Sequence, residues 1–250
     1  MNIAIIFAGG VGTRMGSDVP KQFLVLNGKS VLVHALELYQ RHPQIDGIVL
    51  VVAKQYFDDC RGLCAQYGID KLKALAECGE SAQDSIYSGL KCAAERFPAD
   101  SVVLLYDGVR PYLLPQVITD NIEAVKRFGN AVTYTPCYET IVLSKDGERI
   151  SAMPYRRESY TAQAPQSFRL GEILALHERI RARPEGYTDM VDQATICWTL
   201  GVPIHLVRGN RGNVKITTPE DIVMLESLLK WREAGGNGEV LPAPYVQGDD

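Results

Sequence analysis

Asn2-Ile3-Ala4-Ile5-Ile6-Phe7-Ala8-Gly9-Gly10-Val11-Gly12-Thr13-Arg14-Met15-Gly16, followed by Pro20-Lys21, decides the fold of this 250-residue chain. From Ile3 to Ala8 no polar residue interrupts the run, as expected of a strand buried on both faces in a parallel sheet covered by helices. Glycines end it at once. A glycine-rich turn leaving such a strand lets backbone N–H groups approach phosphate oxygens. Arg14 and Lys21 add two fixed positive charges beside it, more than a dinucleotide site requires.

Working outward, 48–53 (Ile-Val-Leu-Val-Val-Ala) and 102–106 (Val-Val-Leu-Leu-Tyr) read as further buried strands. Between them Ser30 is placed to N-cap a helix through about Arg41, stopped by His42-Pro43, and Ser85 to Arg96 carries helical spacing. The order βαβα predicts an α/β fold with a Rossmann-like, doubly wound, mostly parallel sheet that binds ligands at the carboxyl ends of its strands.

Past residue 130 the pattern changes. Residues 131–145 alternate like antiparallel strand, Lys145-Asp146-Gly147-Glu148 reads as a hairpin turn, and Arg149–Met153 returns. This predicts a β-arm at about 134–158 projecting from a single domain spanning 1–232. Helices are expected at 170–182 and 188–200, a strand at 203–208, and a last helix opened by Thr218-Pro219-Glu220-Asp221. The tail from Glu233, rich in Gly and Pro and ending in two aspartates, is expected to be unstructured.

Composition is that of an ordinary globular protein, 46% hydrophobic and 22% charged, and the net charge of −4 supplies no basic face for a nucleic-acid backbone. The opening segment lacks a basic n-region and its apolar run is too short to span a bilayer, so a cytoplasmic protein is expected, with neither membrane nor nucleic-acid partner. The six cysteines form no CxxC pair and the four histidines lie far from them, which favours reduced core thiols over zinc; Cys60 and Cys64, one helical turn apart, are the weak exception.

Three readings compete for the glycine loop. A nicotinamide-dinucleotide site wants G-x-G-x-x-G and an acidic residue closing the second strand, but Met15 follows Gly12 at that spacing and the second strand ends Val52-Ala53-Lys54. A Walker A loop needs a terminal Gly-Lys-Ser/Thr, which is missing. A merely structural turn needs fewer glycines and no cations.

The loop with Pro20-Lys21-Gln22-Phe23 resembles the signature of the cytidylyltransferase family containing ribitol-5-phosphate and 2-C-methyl-D-erythritol 4-phosphate cytidylyltransferases, whose fold is of the nucleotide-diphospho-sugar transferase type. Gly79-Glu80 with Asp84-Ser85, Asp107-Gly108-Val109-Arg110-Pro111, Thr140, Arg156, Ala164-Pro165-Gln166-Ser167-Phe168, Thr188-Asp189, Asn213-Val214-Lys215-Ile216-Thr217 and Pro219-Glu220-Asp221 fall in the family's order, covering about 2–229. The resemblance implies transfer of a cytidylyl group from CTP to a polyol phosphate with release of pyrophosphate. It assigns CTP binding to Ala8, Gly9, Gly10, Gly12, Thr13, Gly79, Ser85, Asp107 and Arg110, and catalysis to Arg14, Lys21 and Lys215. Asp107 is also assigned to Mg²⁺, and Thr140, Arg156, Thr188 and Lys215 to the acceptor. The arm implies a homodimer, because in this family it reaches a neighbouring subunit's site.

For single residues blander roles are available: an Asx turn for Asp107, a helix N-terminal position for Ser85, an N-cap for Thr188, and solvated charges for Arg156 and Lys215. The attacking group is itself a phosphate, with a second pKa near ~6, so no general base is needed and the lack of a Ser/His/Asp arrangement fits. Ala82 and Ala164 depart from the family's usual Arg and Thr, and no Lys follows Thr140. Gln163 to Phe168 reads more like the ribitol-phosphate branch, so D-ribitol 5-phosphate is the expected acceptor and methylerythritol phosphate the alternative. The pathway, cell-wall polymer, capsule or isoprenoid precursor, stays open at this point. The rivals from other classes are an NAD-dependent oxidoreductase and a catalytically silent nucleotide-binding module.

Overall fold

The computed structural model describes residues 1–10 and 19–236. Strand β1 (Asn2–Phe7) is followed by a short hairpin of β2 (Val25–Leu26) and β3 (Lys29–Ser30), then α1 (Val31–Gln40), β4 (Gly47–Val52), α2 (Phe57–Gln66), β5 (Leu72–Glu77), α3 (Ala82–Ala94) and β6 (Val102–Asp107). Next come α4 (Pro115–Phe128), β7 (Asn130–Pro136), β8 (Tyr160–Arg169), α5 (Leu170–Arg181), α6 (Gln193–Thr199), β9 (Leu206–Arg208) and α7 (Pro219–Glu233).

The main sheet has seven strands in the order β5-β4-β1-β6-β8-β7-β9. Strand β1 pairs in parallel with both β4 and β6, and β7 in parallel with β9, while β8 runs antiparallel to both its neighbours. The chain winds from β1 out to β4 and β5, and α3 then carries it back to β6 on the other side of β1. The winding therefore reverses between β1 and β6, which is where such sheets open a crevice. Phe7 pairs with Asp107 in that register, so the glycine loop and Asp107 leave the sheet side by side.

Burial explains why β1 does not alternate. Ala4 and Ile6 enter a core with α1, α4 and α7, while Ile3 and Ile5 enter a second core with α3 and α5, and all four are fully buried. A Cβ on Gly89 of α3 would lie 2.7 Å from a Val51 methyl and 2.8 Å from an Ile5 methyl, so glycine lets this helix sit closely on the sheet.

Ser30 caps α1 as expected, its Oγ accepting Val33 N–H at 3.3 Å. Helix α3 begins a turn earlier than the sequence spacing suggests, at Ala82, because Ser81 Oγ accepts the Asp84 N–H at 3.0 Å. The expected helix over 188–200 shortens to Gln193–Thr199, since Asp192 caps it and residues 185–190 are spent on turns, with Asp189 at a positive φ of 61°. The strand expected over 131–145 leaves the sheet after Pro136. Beyond it residues 137–159 return through one bridge, Leu143 to Ala152, around a turn held by the Asp146 carboxylate. The last helix opens on a capping box between Thr218 and Asp221 and runs through Glu233. Residues 237–250, most of the expected tail, lie outside the described residues.

Candidate active site

Where β1 ends, Ala8, Gly9 and Gly10 form one wall of a cavity of about 290 Å³; Lys21, Gly79, Ser85, Asp107 and Lys215 line it from the other sides. Of the candidate nucleotide-binding and catalytic residues, Gly12, Thr13 and Arg14 lie outside the described residues. Arg110 faces a second cavity of about 250 Å³ that shares Asp107, Lys215, Phe7, Ala82 and Ile86 with the first and extends to Gln163, Ala164, Asp192 and Gln193.

Close backbone approach builds the first cavity. A Cβ on Gly9 would sit 2.5 Å from Cys78 Cβ, and one on Gly79 would collide with Asp84 Cβ, so the ends of β1 and β5 meet only as glycine against side chain. Gly79 N–H donates to Ser85 Oγ at 3.1 Å, and that hydroxyl donates to Ser81 O at 3.0 Å. Ser85 therefore satisfies the helix end and faces the cavity at once. Lys21 stands in a short 3₁₀ turn, its Nζ donating to Ile216 O at 3.0 Å. Neighbouring Gln22 is buried and donates to Ala8 O at 2.7 Å, fixing the last residue before the glycines.

At the end of β6 the Asp107 carboxylate is held on both oxygens. Arg110 Nε donates to one at 2.8 Å and Lys215 Nζ to the other at 2.8 Å. Burial alone would raise this carboxyl's pKa, but Arg110 and Lys215 outweigh it and hold the group below the usual carboxylate range. Arg110 also donates to Asn213 O at 2.7 Å, and Ile216 N–H to Val109 O at 3.0 Å, so the 213–217 strip is laced to the segment after β6. Asn213 is fully buried and its amide serves Tyr106, Gln163 and the Ala164 carbonyl. Asn213 and Gln22 stand within the motifs without an assigned role, and neither has a local signal of burial: Asn213 lies between Gly212 and Val214 in a basic stretch and Gln22 follows Lys21.

The acceptor candidates divide. Lys215 lines both cavities, whereas Thr140 and Arg156, on the 137–159 arm, and Thr188 are exposed and line neither. Thr188 Oγ1 turns back to donate to Glu185 O at 2.7 Å, a local turn rather than a helix cap. Among the described residues no three His, Cys, Asp or Glu side chains cluster as metal ligands, and the carboxylates this cavity offers a cation are Asp107 and Glu80.

A further cavity of about 360 Å³, between α1, α7 and residues 111–115, is larger than either. Its charges are engaged within its own wall: Glu37 holds Lys29 and Arg41, and Arg232 lies over the Tyr112 ring. It has neither a glycine backbone nor a position between β1 and β6, so we place the site at the smaller pair.

Comparisons with known proteins show the family of the chain. The family described as 2-C-methyl-D-erythritol 4-phosphate cytidylyltransferase matches residues 2–231. A ribitol-5-phosphate cytidylyltransferase of Streptococcus agalactiae is 41% identical over 93% of this chain and 97% of its own length, and one of Vibrio parahaemolyticus is 41% identical over 93% and 98%. A 2-C-methyl-D-erythritol 4-phosphate cytidylyltransferase of Geotalea uraniireducens is 36% identical over 91% and 96%. Among solved structures, 4-diphosphocytidyl-2C-methyl-D-erythritol synthase of Anaerococcus prevotii superposes with a TM-score of 0.78 at 27% identity, covering 92% of this chain and 96% of that one.

Proposed function

The chain belongs to the 2-C-methyl-D-erythritol 4-phosphate cytidylyltransferase family, and from that premise we propose that it transfers the cytidylyl group of CTP to D-ribitol 5-phosphate, giving CDP-ribitol and pyrophosphate. Membership makes it a nucleotidyltransferase and removes the nicotinamide reading of the glycine loop. The observation that carries the site assignment is the single cavity joining Gly9 and Gly10 to Gly79, Ser85, Lys21, Asp107 and Lys215.

In this reading cytosine lies against Gly79 and Ser85, where backbone groups and a hydroxyl read its polar edge. The triphosphate follows the backbone of Gly9 and Gly10 towards Lys21. An acceptor phosphate oxygen attacks the α-phosphorus while the bond from that phosphorus to the β-phosphate oxygen breaks, and pyrophosphate leaves with the electron pair. Two anions must be brought together, so the protein's work is positioning and charge stabilisation, given to Lys21, Lys215, Arg110 and the loop amides, with Arg14 assigned by family resemblance. Magnesium is commonly held by one or two carboxylates plus substrate phosphates, and Asp107 suits that mode; when bound, the ion neutralises phosphate charge.

The acceptor is drawn from the second cavity and from the relatives. Ala82 lines both cavities, leaving open the space a longer side chain would fill. Thr140 and Arg156 complete the acceptor site from a second subunit in this reading. Supporting that, the arm exposes Val142, Leu143, Ile150, Met153 and Tyr155, apolar surface suited to burial against another copy. No helix among the described residues is long and apolar enough to cross a membrane.

The test is pyrophosphate release from CTP with a panel of acceptors. D-Ribitol 5-phosphate should give the highest kcat/KM. A preference for methylerythritol phosphate would instead select the alternative that the family's description favours, and CTP binding without turnover on any acceptor would indicate a silent module.

A further inference from the structure

The Gly79–Ser85 loop and the turn carrying Thr188 lie far apart in sequence, yet two sets of contacts tie them together. Asp84, in the first turn of α3, packs directly on Gly79 and takes a hydrogen bond from Ser81 on one carboxylate oxygen. Its other oxygen accepts Arg181 Nη1 at 2.7 Å, from the last residue of α5. The Arg181 guanidinium spreads over the Tyr87 ring at 4.4 Å and the Tyr187 ring at 5.6 Å, and Tyr187 directly precedes Thr188. Tyr187 is anchored from its far side, its hydroxyl 2.6 Å from His177 Nδ1. One residue before Asp84, buried Gln83 donates to Met190 O at 3.0 Å and accepts from Gln193 at 3.2 Å.

We propose that Arg181 and Gln83 are positioning residues that couple the cytosine-reading loop to the Thr188 turn, so that filling the nucleotide cavity orders the acceptor side before the acceptor arrives. The proposal rests on the nucleotide assignment made above and on the acceptor role that the family resemblance implies for Thr188. Its physical basis is shared parts: residues 83 and 84 belong to the helix end that supports Gly79, and Gln83 grips the 187–190 turn directly while Asp84 reaches it through Arg181. A cytosine pressed against Gly79 and Ser85 restrains that helix end, and the restraint passes through the Asp84 to Arg181 pair and the Gln83 amide. The turn itself is exposed and held within itself mainly by short backbone bonds such as Thr188 N to Glu185 O and Met190 N to Tyr187 O. Segments of this kind sit at the low end of local stability and respond to small biases.

Hydrogen exchange on the intact protein tests this without an acceptor. Saturating CTP with magnesium should slow exchange in peptides covering 79–85 and in those covering 186–191, the second by roughly tenfold, a common size for coupling between sites. In Arg181→Ala, whose side chain is 41% exposed so that the fold should tolerate its loss, the 79–85 protection should persist while the CTP-dependent protection of 186–191 falls to within about twofold of none. Gln83→Ala should act in the same direction. A purely structural role would raise exchange in 186–191 equally with and without CTP. That pattern, or wild-type protection confined to 79–85, overturns the coupling while leaving the nucleotide site standing. Protection at neither segment overturns both, with the fault in the nucleotide assignment.

Discussion

Lys215 Nζ lies 2.8 Å from Asp107 Oδ1 while Arg110 Nε lies 2.8 Å from Oδ2, so one carboxylate at the end of β6 orients two cations at the junction of two cavities. Lys215 is 44% exposed, and an ion pair that open contributes little to stability. Its value is in placement. Lys215→Ala should lower kcat/KM for the acceptor by about 10²- to 10³-fold, the usual cost of one well-placed charge donor, with stability changed by no more than about 0.5 kcal/mol. Steady-state kinetics and a thermal melt on the same preparation check both halves.

Lys21 reaches the cavity from a 3₁₀ turn and is held by Ile216 O. Lys21→Ala should reduce pyrophosphate release by on the order of 10²-fold or more while leaving the circular dichroism spectrum unchanged. Turnover at the wild-type rate would remove Lys21 from the chemistry.

Gly79 has no room for a Cβ because Asp84 occupies the space, whereas Gly62 in the interior of α2 has nothing within 4 Å. Gly79→Ala should therefore raise the KM for CTP by at least about tenfold, since the helix end must shift, each tenfold corresponding to about 1.4 kcal/mol. Gly62→Ala should leave kinetics alone and add up to about 1 kcal/mol of stability through helix propensity. Equal kinetics for the two variants would contradict the assigned role of the 79–85 loop.

Arg156 and Thr140 line neither cavity of their own subunit. If the arm serves a neighbouring site, mixing unfolded Lys21→Ala and Arg156→Ala chains and refolding them should recover about a quarter of wild-type activity, because half the dimers are mixed and each of those has one intact site. No recovery would place the two residues in the same site of one chain, or outside it.

His177 is fully buried, with Nδ1 against the Tyr187 hydroxyl, and burial pulls its pKa down to about 4, the Arg181 charge acting in the same direction. In an unfolded chain the imidazole titrates near ~6.5, so between that pH and about 4 the unfolded state binds more protons. This group's contribution to stability is complete above the unfolded value and is lost as pH falls towards the folded one, an effect of order 3 kcal/mol. Urea melts at pH 7 and 4.5 should show wild type losing more stability than His177→Gln. Equal losses would contradict the buried neutral imidazole.

How far the sequence could be read depended on what each segment must satisfy. Strands β1, β4 and β6 are buried on both faces and carry unbroken apolar runs, so they were legible together with the crevice they create. Strand β5 at the sheet edge mixes Lys73 and Glu77 with two leucines and two alanines, and β8 carries Gln166 and Ser167, whose polarity is absorbed by Asp192 and Asn121. Neither shows a period that a sequence alone can interpret. Helix α4, which is not among the sequence expectations, carries signals of its own, Pro115 at the start and Gly129 in the left-handed cap. At the site, the glycines, Lys21, Asp107 and Lys215 were legible because each belongs to a motif. The partners that hold them were not: Asn213 reaches Ala164 across 49 residues and Arg181 reaches Asp84 across 97, and no local spacing encodes such contacts.

The central claim is the place where CTP sits, and a crystal structure with CTP and magnesium measures it directly. Cytosine is expected within hydrogen-bond reach of Gly79 and Ser85, with the triphosphate along Gly9 and Gly10 towards Lys21. Nucleotide density in the larger cavity beside Tyr112 and Leu229, with the β1 to β6 crevice empty, would contradict the account.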